Sequence, residues 1–150
     1  MTNAKPKILI INGPNLNLLG EREPEKYGTQ TLAQLNDELR EKAQELGVEV
    51  VFFQSNHEGD LIDEIQKARK TTQALIVNPG GLTHTSIALR DALATYTQPI
   101  IEVHLTNIYT REDFRQVSYV SGVATAVISG LGTQGYHSAL GYLRNHLLPE

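Results

Sequence analysis

Five apolar runs recur along this chain, each separated from the next by an amphipathic or polar stretch. KILIING (7–13), VEVVFFQS (48–55), ALIVNPGG (74–81), PIIEVHL (99–105) and ATAVISG (124–130) are rich in β-branched and aliphatic residues and almost continuously apolar. That composition suits strands buried on both faces. Helical patterns lie between them. Leu32, Leu35, Leu39, Ala43 and Leu46 share one face at 3.6-residue spacing. Thr31 with Gln34 reads as a capping box, and Gly47 as the stop. DLIDEIQKARK (60–70), SIALRDALATY (86–96) and YHSALGYLRNHLL (136–148) predict three more helices, and REDFRQVSYV (111–120) a short one. Parallel strands need long crossovers, so this alternation implies a parallel sheet. The spacing predicts an α/β, flavodoxin-like fold in one domain over 1–150. Its sheet has five parallel strands in the order 2-1-3-4-5, with helices on both faces.

Composition narrows the function. A net charge of −4 with no basic stripe disfavours nucleic acid. Cysteine is absent, which excludes disulfides, a thiolate nucleophile and cysteine metal sites. No run approaches the ~18 apolar residues of a membrane span. The opening MTNAKPKILIINGPN lacks the apolar length and cleavage site of a signal peptide, so a cytoplasmic location is expected.

In open α/β sheets, ligands bind at the carboxyl ends of the strands, at the switch point of strand order. The stretch IIEVHLTN (100–107) puts Glu102 and His104 on one face of the fourth strand, near that end. An unpaired charge in a core strand costs several kcal/mol, on the order of other buried polar groups, so the pair is either mutually satisfied or functional. Three loops converge at the same end. The first brings Asn12, Asn15, Asn17, Arg22 and Tyr27, and the second Asn78, Gly80, Gly81 and His84. The third brings Thr106, Asn107, Arg111 and Arg115. This inventory suits a small polyhydroxylated or anionic ligand. Plainer readings exist: the asparagines serve turns, the glycine pair is turn chemistry, and Arg22 and Tyr27 are solvated. However, a polar loop as long as 14–30 is usually functional or disordered.

Other motifs fail. GLGTQG (130–135) matches a dinucleotide fingerprint, but no following strand carries the required acid, so it reads as a tight strand-to-helix turn. There is no G-x-S-x-G elbow and no Walker A motif. The loop after the first strand lacks a flavin phosphate cradle. A zinc site from His84, Glu102 and His104 is conceivable, without a metalloprotease motif to support it.

Four stretches together carry a resemblance: NGPNLNLLGEREPEKYG, NPGGLTHTSIALRDAL, IEVHLTN with REDFR, and GLGTQGY. In this order, and over essentially the whole chain, the sequence closely resembles the type II 3-dehydroquinases. The resemblance implies a cofactor-free, metal-free hydro-lyase of the shikimate pathway, converting 3-dehydroquinate to 3-dehydroshikimate. It also implies a homo-oligomer, a dodecamer built of trimers.

Under that resemblance, Tyr27 takes the proton alpha to the ketone, an enolate forms, and His104 protonates the departing hydroxyl. A free tyrosine titrates near ~10, so a phenolate base needs a nearby cation, and Arg22 is the candidate. Asn15 helps hold the enolate through a bound water, and Glu102 orients His104 and favours its protonated form. The resemblance assigns substrate contacts to Asn78, His84, Arg115 and the backbone at Leu105 and Thr106. Asp91 is contributed across the trimer interface. Thr106 stands where the family commonly has serine. Loop 20–30 is expected to be a mobile lid. None of the six lysines (5, 7, 26, 42, 67, 70) falls at a strand end, which argues against an imine mechanism. Two rivals stay open: another lyase for a cyclic hydroxy acid, and a non-catalytic flavodoxin-like binding module.

Overall fold

A computed structural model describes residues 4–150; the first three residues of the opening stretch lie outside it. Five strands form one all-parallel sheet in the order β2-β1-β3-β4-β5. They are β1 (Lys7–Asn12), β2 (Glu49–Gln54), β3 (Ala74–Asn78), β4 (Ile100–His104) and β5 (Ala126–Ser129). The helices are α1 (Pro24–Tyr27), α2 (Leu32–Leu46), α3 (Glu58–Ala68), α4 (Ile87–Ala94) and α5 (Gln134–Leu147). Topology and strand positions agree with the sequence reading.

Strand alternation divides the core in two. Ile8, Ile10, Ala74, Ile76, Ile101 and Val103 point to one face, where Leu35, Leu39 and Ala43 of α2 and Tyr136, Ala139, Leu140 and Leu143 of α5 cover them. Leu9, Ile11, Leu75, Val77 and Ile100 point to the other, beneath Leu61 and Ile65 of α3 and Leu89 and Leu93 of α4. Burying such side chains contributes about 1.5–3 kcal/mol each, which drives this layering. The outer strand β5 is less covered, with Val127 substantially exposed. Among the described residues no helix is long and apolar enough to cross a membrane.

The helix boundaries follow local chemistry. Both bonds of the Thr31–Gln34 capping box form, and Gly47 ends α2 in the left-handed conformation. α3 begins two residues before the expected start, with Glu58 and Asp60 in the first turn, where acidic side chains favour the helix dipole. Ser55 Oγ donates to Asp60 and accepts from the His57 amide, fixing the entry. REDFRQVSYV does not become the expected helix. Only Asp113–Arg115 makes a 3-10 turn. Beyond it the backbone is held elsewhere: the Tyr119 amide donates to the Thr83 carbonyl (2.7 Å), and the Val117 carbonyl meets His84 Nδ1 (2.8 Å). These tertiary bonds outcompete the helical ones. The 14–30 segment is also more structured than a loop, with a 3-10 turn at Leu16–Leu18 and the α1 turn starting at Pro24.

Candidate active site

Asn12 and Asn78 end the adjacent strands β1 and β3, in register. The loops that follow run close together, and the Gly13 amide donates to the Asn78 carbonyl (2.8 Å). A Cβ on Gly13 would stand 2.5 Å from the Pro79 carbonyl oxygen, so the crossing admits only glycine. Beside it opens a pocket of ≈ 150 Å³ at the switch point of the sheet.

Three groups of residues line it. The loop after β1 gives Pro14, Asn15, Leu16, Leu19, Arg22 and Tyr27. The loop after β3 gives Asn78, Gly80, Gly81 and His84. β4 and its loop give His104, Leu105, Thr106, Ile108, Arg111 and Arg115. All the site residues named from the sequence therefore meet here except Asn12, Asn17, Asn107, Glu102 and Asp91. Asp91 lies exposed on α4. Glu102 is fully buried beneath the pocket, in the middle of β4 between Val77 and Val127.

The burial of Glu102 is compensated on both oxygens. Oε2 meets His104 Nε2 and accepts from Ser118 Oγ (2.8 Å) and Thr83 Oγ1 (3.2 Å). Oε1 accepts from Ser121 Oγ (2.7 Å). Desolvation alone would raise the carboxyl's pKa. The His104 hydrogen bond and charge, with the two serine hydroxyls, outweigh it and hold the group below its usual value. The carboxylate stays ionised and claims the Nε2 side of His104, which leaves Nδ1 for the pocket that His104 lines. His84 is fixed in the opposite sense. Its Nδ1 is spent on the Val117 carbonyl, so Nε2 remains for a ligand. Each imidazole keeps one nitrogen for the pocket, but both Glu102 oxygens are taken by hydrogen bonds, so the zinc reading of His84, Glu102 and His104 lacks its carboxylate ligand. Among the described residues no group of three His, Cys, Asp or Glu is placed to hold a metal.

In the same pocket, two guanidinium groups approach the Tyr27 ring, Arg22 at 5.4 Å and Arg111 at 5.8 Å from its centroid. Arg111 also donates to Thr106 Oγ1 (3.3 Å), and so uses the hydroxyl at this position. Arg115 is set by a 3.1 Å bond from Nε to Glu112. Asn15 and Glu23, on the same segment as Tyr27, hold φ of 72° and 42°, a left-handed backbone that costs non-glycine residues energy and clusters at functional sites. The GLGTQG stretch is the tight turn expected. Gly130 and Gly132 donate to the His104 (3.2 Å) and Leu105 (2.8 Å) carbonyls and brace the backbone beside the pocket.

Sequence reasoning placed Arg111 among the strand-end residues without giving it a role. Its contact with Tyr27 spans two separate loops and carries no local signal. Leu16, Leu19 and Ile108 were also missed. The apolar positions inside NLNLLG were the available clue, because a solvated loop has no use for buried leucines.

Fold and pocket together define an α/β protein of flavodoxin-like architecture with a pocket of imidazole, guanidinium, phenol and amide groups at its topological switch. Comparison with known proteins makes this specific. The family model "Dehydroquinase class II" matches residues 6–144. A 3-dehydroquinate dehydratase of Bordetella avium is 57% identical over 140 residues, covering 93% of this chain and 97% of that protein. Catabolic 3-dehydroquinase 2 of Neosartorya fischeri is 56% identical over 137 residues, covering 91% of each. The solved type II dehydroquinase of Propionibacterium acnes superposes with a TM-score of 0.92 at 41% identity, covering 96% of this chain and 99% of that one. The chain belongs to the class II dehydroquinase family.

Proposed function

We propose that this pocket dehydrates 3-dehydroquinate to 3-dehydroshikimate, with Tyr27 as base and His104 as acid. The carrying observation is His104, held from beneath by Glu102 and lining the same pocket as Tyr27 with its two arginines. Tyr27, as phenolate, takes the proton from the carbon alpha to the ketone, and the electron pair passes into an enolate. Arg22 and Arg111 bring two guanidinium charges to the Tyr27 ring. Asn15 supports the enolate through water. The enolate then reforms the ketone as the carbon–oxygen bond breaks. His104 Nδ1 gives its proton to the leaving hydroxyl, so one water departs, and the Glu102 carboxylate balances the imidazolium charge meanwhile. Asn78, His84, Arg115 and the backbone of Gly80, Gly81, Leu105 and Thr106 hold the substrate.

The chain forms a single domain over 1–150, in which every residue that lines the pocket sits at a strand end of one sheet or on the segment that follows it. Asp91 acts from a neighbouring copy within a trimer of a dodecamer. Its exposed position, away from its own chain's pocket, supports that placement. The segment around residues 20–30 serves as a lid.

The test is the rise of the conjugated-enone ultraviolet band when purified protein meets 3-dehydroquinate, after chelator treatment and with borohydride present. Turnover is expected to survive both treatments, and to fall by a factor of at least ~10² in Tyr27→Phe and in His104→Ala, with melting temperatures retained. Near-normal turnover in either variant refutes its assigned role. Loss with borohydride alone would point to a lysine imine.

A further inference from the structure

Tyr136 closes the GLGTQGY stretch and plays no part in the proton transfers. It sits in the first turn of α5, fully buried, with its hydroxyl bonded to Asn78, which lines the pocket. Its Oη donates to Asn12 Oδ1 (2.5 Å) and accepts from Asn78 Nδ2 (2.9 Å). Asn78 Oδ1 in turn accepts the Gly80 amide (3.1 Å). Asn12 and Asn78 are register neighbours on the face that α5 covers, so the phenol bridges the ends of two strands that a chain separation of 124 residues brings under it.

We propose that Tyr136 is a positioning residue for substrate: its hydroxyl, aimed by Asn12, locks the Asn78 carboxamide with one N–H turned to the ligand. The direction follows from donor counting. Asn12 Oδ1 only accepts, so the phenol proton must point to it. The lone pairs of Oη then demand a donor from Asn78, which Nδ2 supplies. A flipped Asn78 would set oxygen against oxygen at Tyr136, and N–H against N–H at Gly80. With one Nδ2 hydrogen spent on Tyr136, the second is left for the pocket that Asn78 lines. Burial drives the phenol's pKa well above its ordinary value, so the hydroxyl keeps its proton at working pH. Without the hydroxyl the two carboxamides are free to bond each other, and Asn78 turns away from the ligand.

This inference rests on the dehydratase reading, and the experiment separates the two. kcat and KM for 3-dehydroquinate are measured with melting curves for wild type, Tyr136→Phe, Asn78→Ala and the double variant. Tyr136→Phe is expected to raise KM about tenfold with kcat within about threefold, because a binding contact is lost from ground and transition state alike. In the Asn78→Ala background it is expected to raise KM no further, since the hydroxyl acts through Asn78. Asn12→Ala keeps the hydroxyl but frees its direction, and is also expected to raise KM. This second variant decides the matter if Tyr136→Phe does not fold. An unmoved KM in either variant, or additive effects in the double variant, overturns the role of Tyr136. Absence of turnover in the wild type would instead overturn the dehydratase reading.

Discussion

Ser121→Ala removes one hydroxyl, and the structure says what that costs. Glu102 is fully buried in mid-strand, where an ionised carboxylate survives only if both oxygens are satisfied. Oε2 has three partners, in His104, Ser118 and Thr83. Oε1 has Ser121 alone among the described residues, at 2.7 Å. The variant therefore strips one carboxylate oxygen bare. A hydrogen bond to a charged group contributes about 1.5–3 kcal/mol, so the expected loss is about 2 kcal/mol at neutral pH. For a chain of this size each kcal/mol shifts Tm by about 2–4 °C, which predicts a fall of about 4–8 °C. The same loss raises the folded-state pKa of Glu102, so the acid side of the stability profile should move to higher pH. The assay is thermal unfolding by circular dichroism at one fixed protein concentration, from pH 3 to 8. Ser121→Thr, which keeps the hydroxyl, should track the wild type. A Ser121→Ala melt within about 1 °C of wild type across that range would refute the claim that this hydroxyl holds the buried charge.

Two further perturbations test the frame around the site. Glu102 is held below its ordinary pKa of 4.5, so the unfolded chain takes up the proton first as pH falls. The stability it contributes is full above that value and is lost as pH drops through the lower folded one. Urea unfolding of wild type and Glu102→Gln should show a gap at pH 7 that closes on acidification below 4.5, and a gap independent of pH would sink the assignment. Gly13→Ala would place a Cβ 2.5 Å from the Pro79 oxygen and is expected to cost about 1–3 kcal/mol in chemical denaturation. Gly59→Ala, in open space on helix α3, should instead be neutral or stabilising. Equal behaviour of the two variants would mean that the β1 and β3 loops do not pack as closely as described.

The fold was readable because its signals are local and repeat. Strands such as KILIIN need no partner to announce themselves, and the 3.6-residue spacing of Leu32, Leu35, Leu39 and Ala43 defines the buried face of α2 by itself. The reading failed where local and tertiary preferences compete. REDFRQVSYV has helical character, yet Val117, Ser118 and Tyr119 are pulled onto His84, Glu102 and Thr83. No pattern within ten residues predicts that competition, because its winning terms come from segments 16 to 36 residues away.

The site divides along the same line. Residues at strand ends were readable because parallel topology sends all carboxyl ends to one rim, whatever the side chains do there. Glu102 was readable as the partner of His104, and Asn12 as a strand-end residue without its present role, but the other residues that give those side chains direction were not. Ser121 and Ser118 for Glu102, Val117 for His84, and Tyr136 with Asn12 for Asn78 all lie outside the pocket lining. Each acts through a bond whose meaning depends on which atom donates. An imidazole becomes an acid facing the ligand only when a carboxylate claims its far nitrogen. A carboxamide becomes a donor only when something fixes which end is nitrogen. The pocket's chemistry thus depends on orientation as much as on inventory, and orientation is set by a buried shell that sequence spacing does not encode.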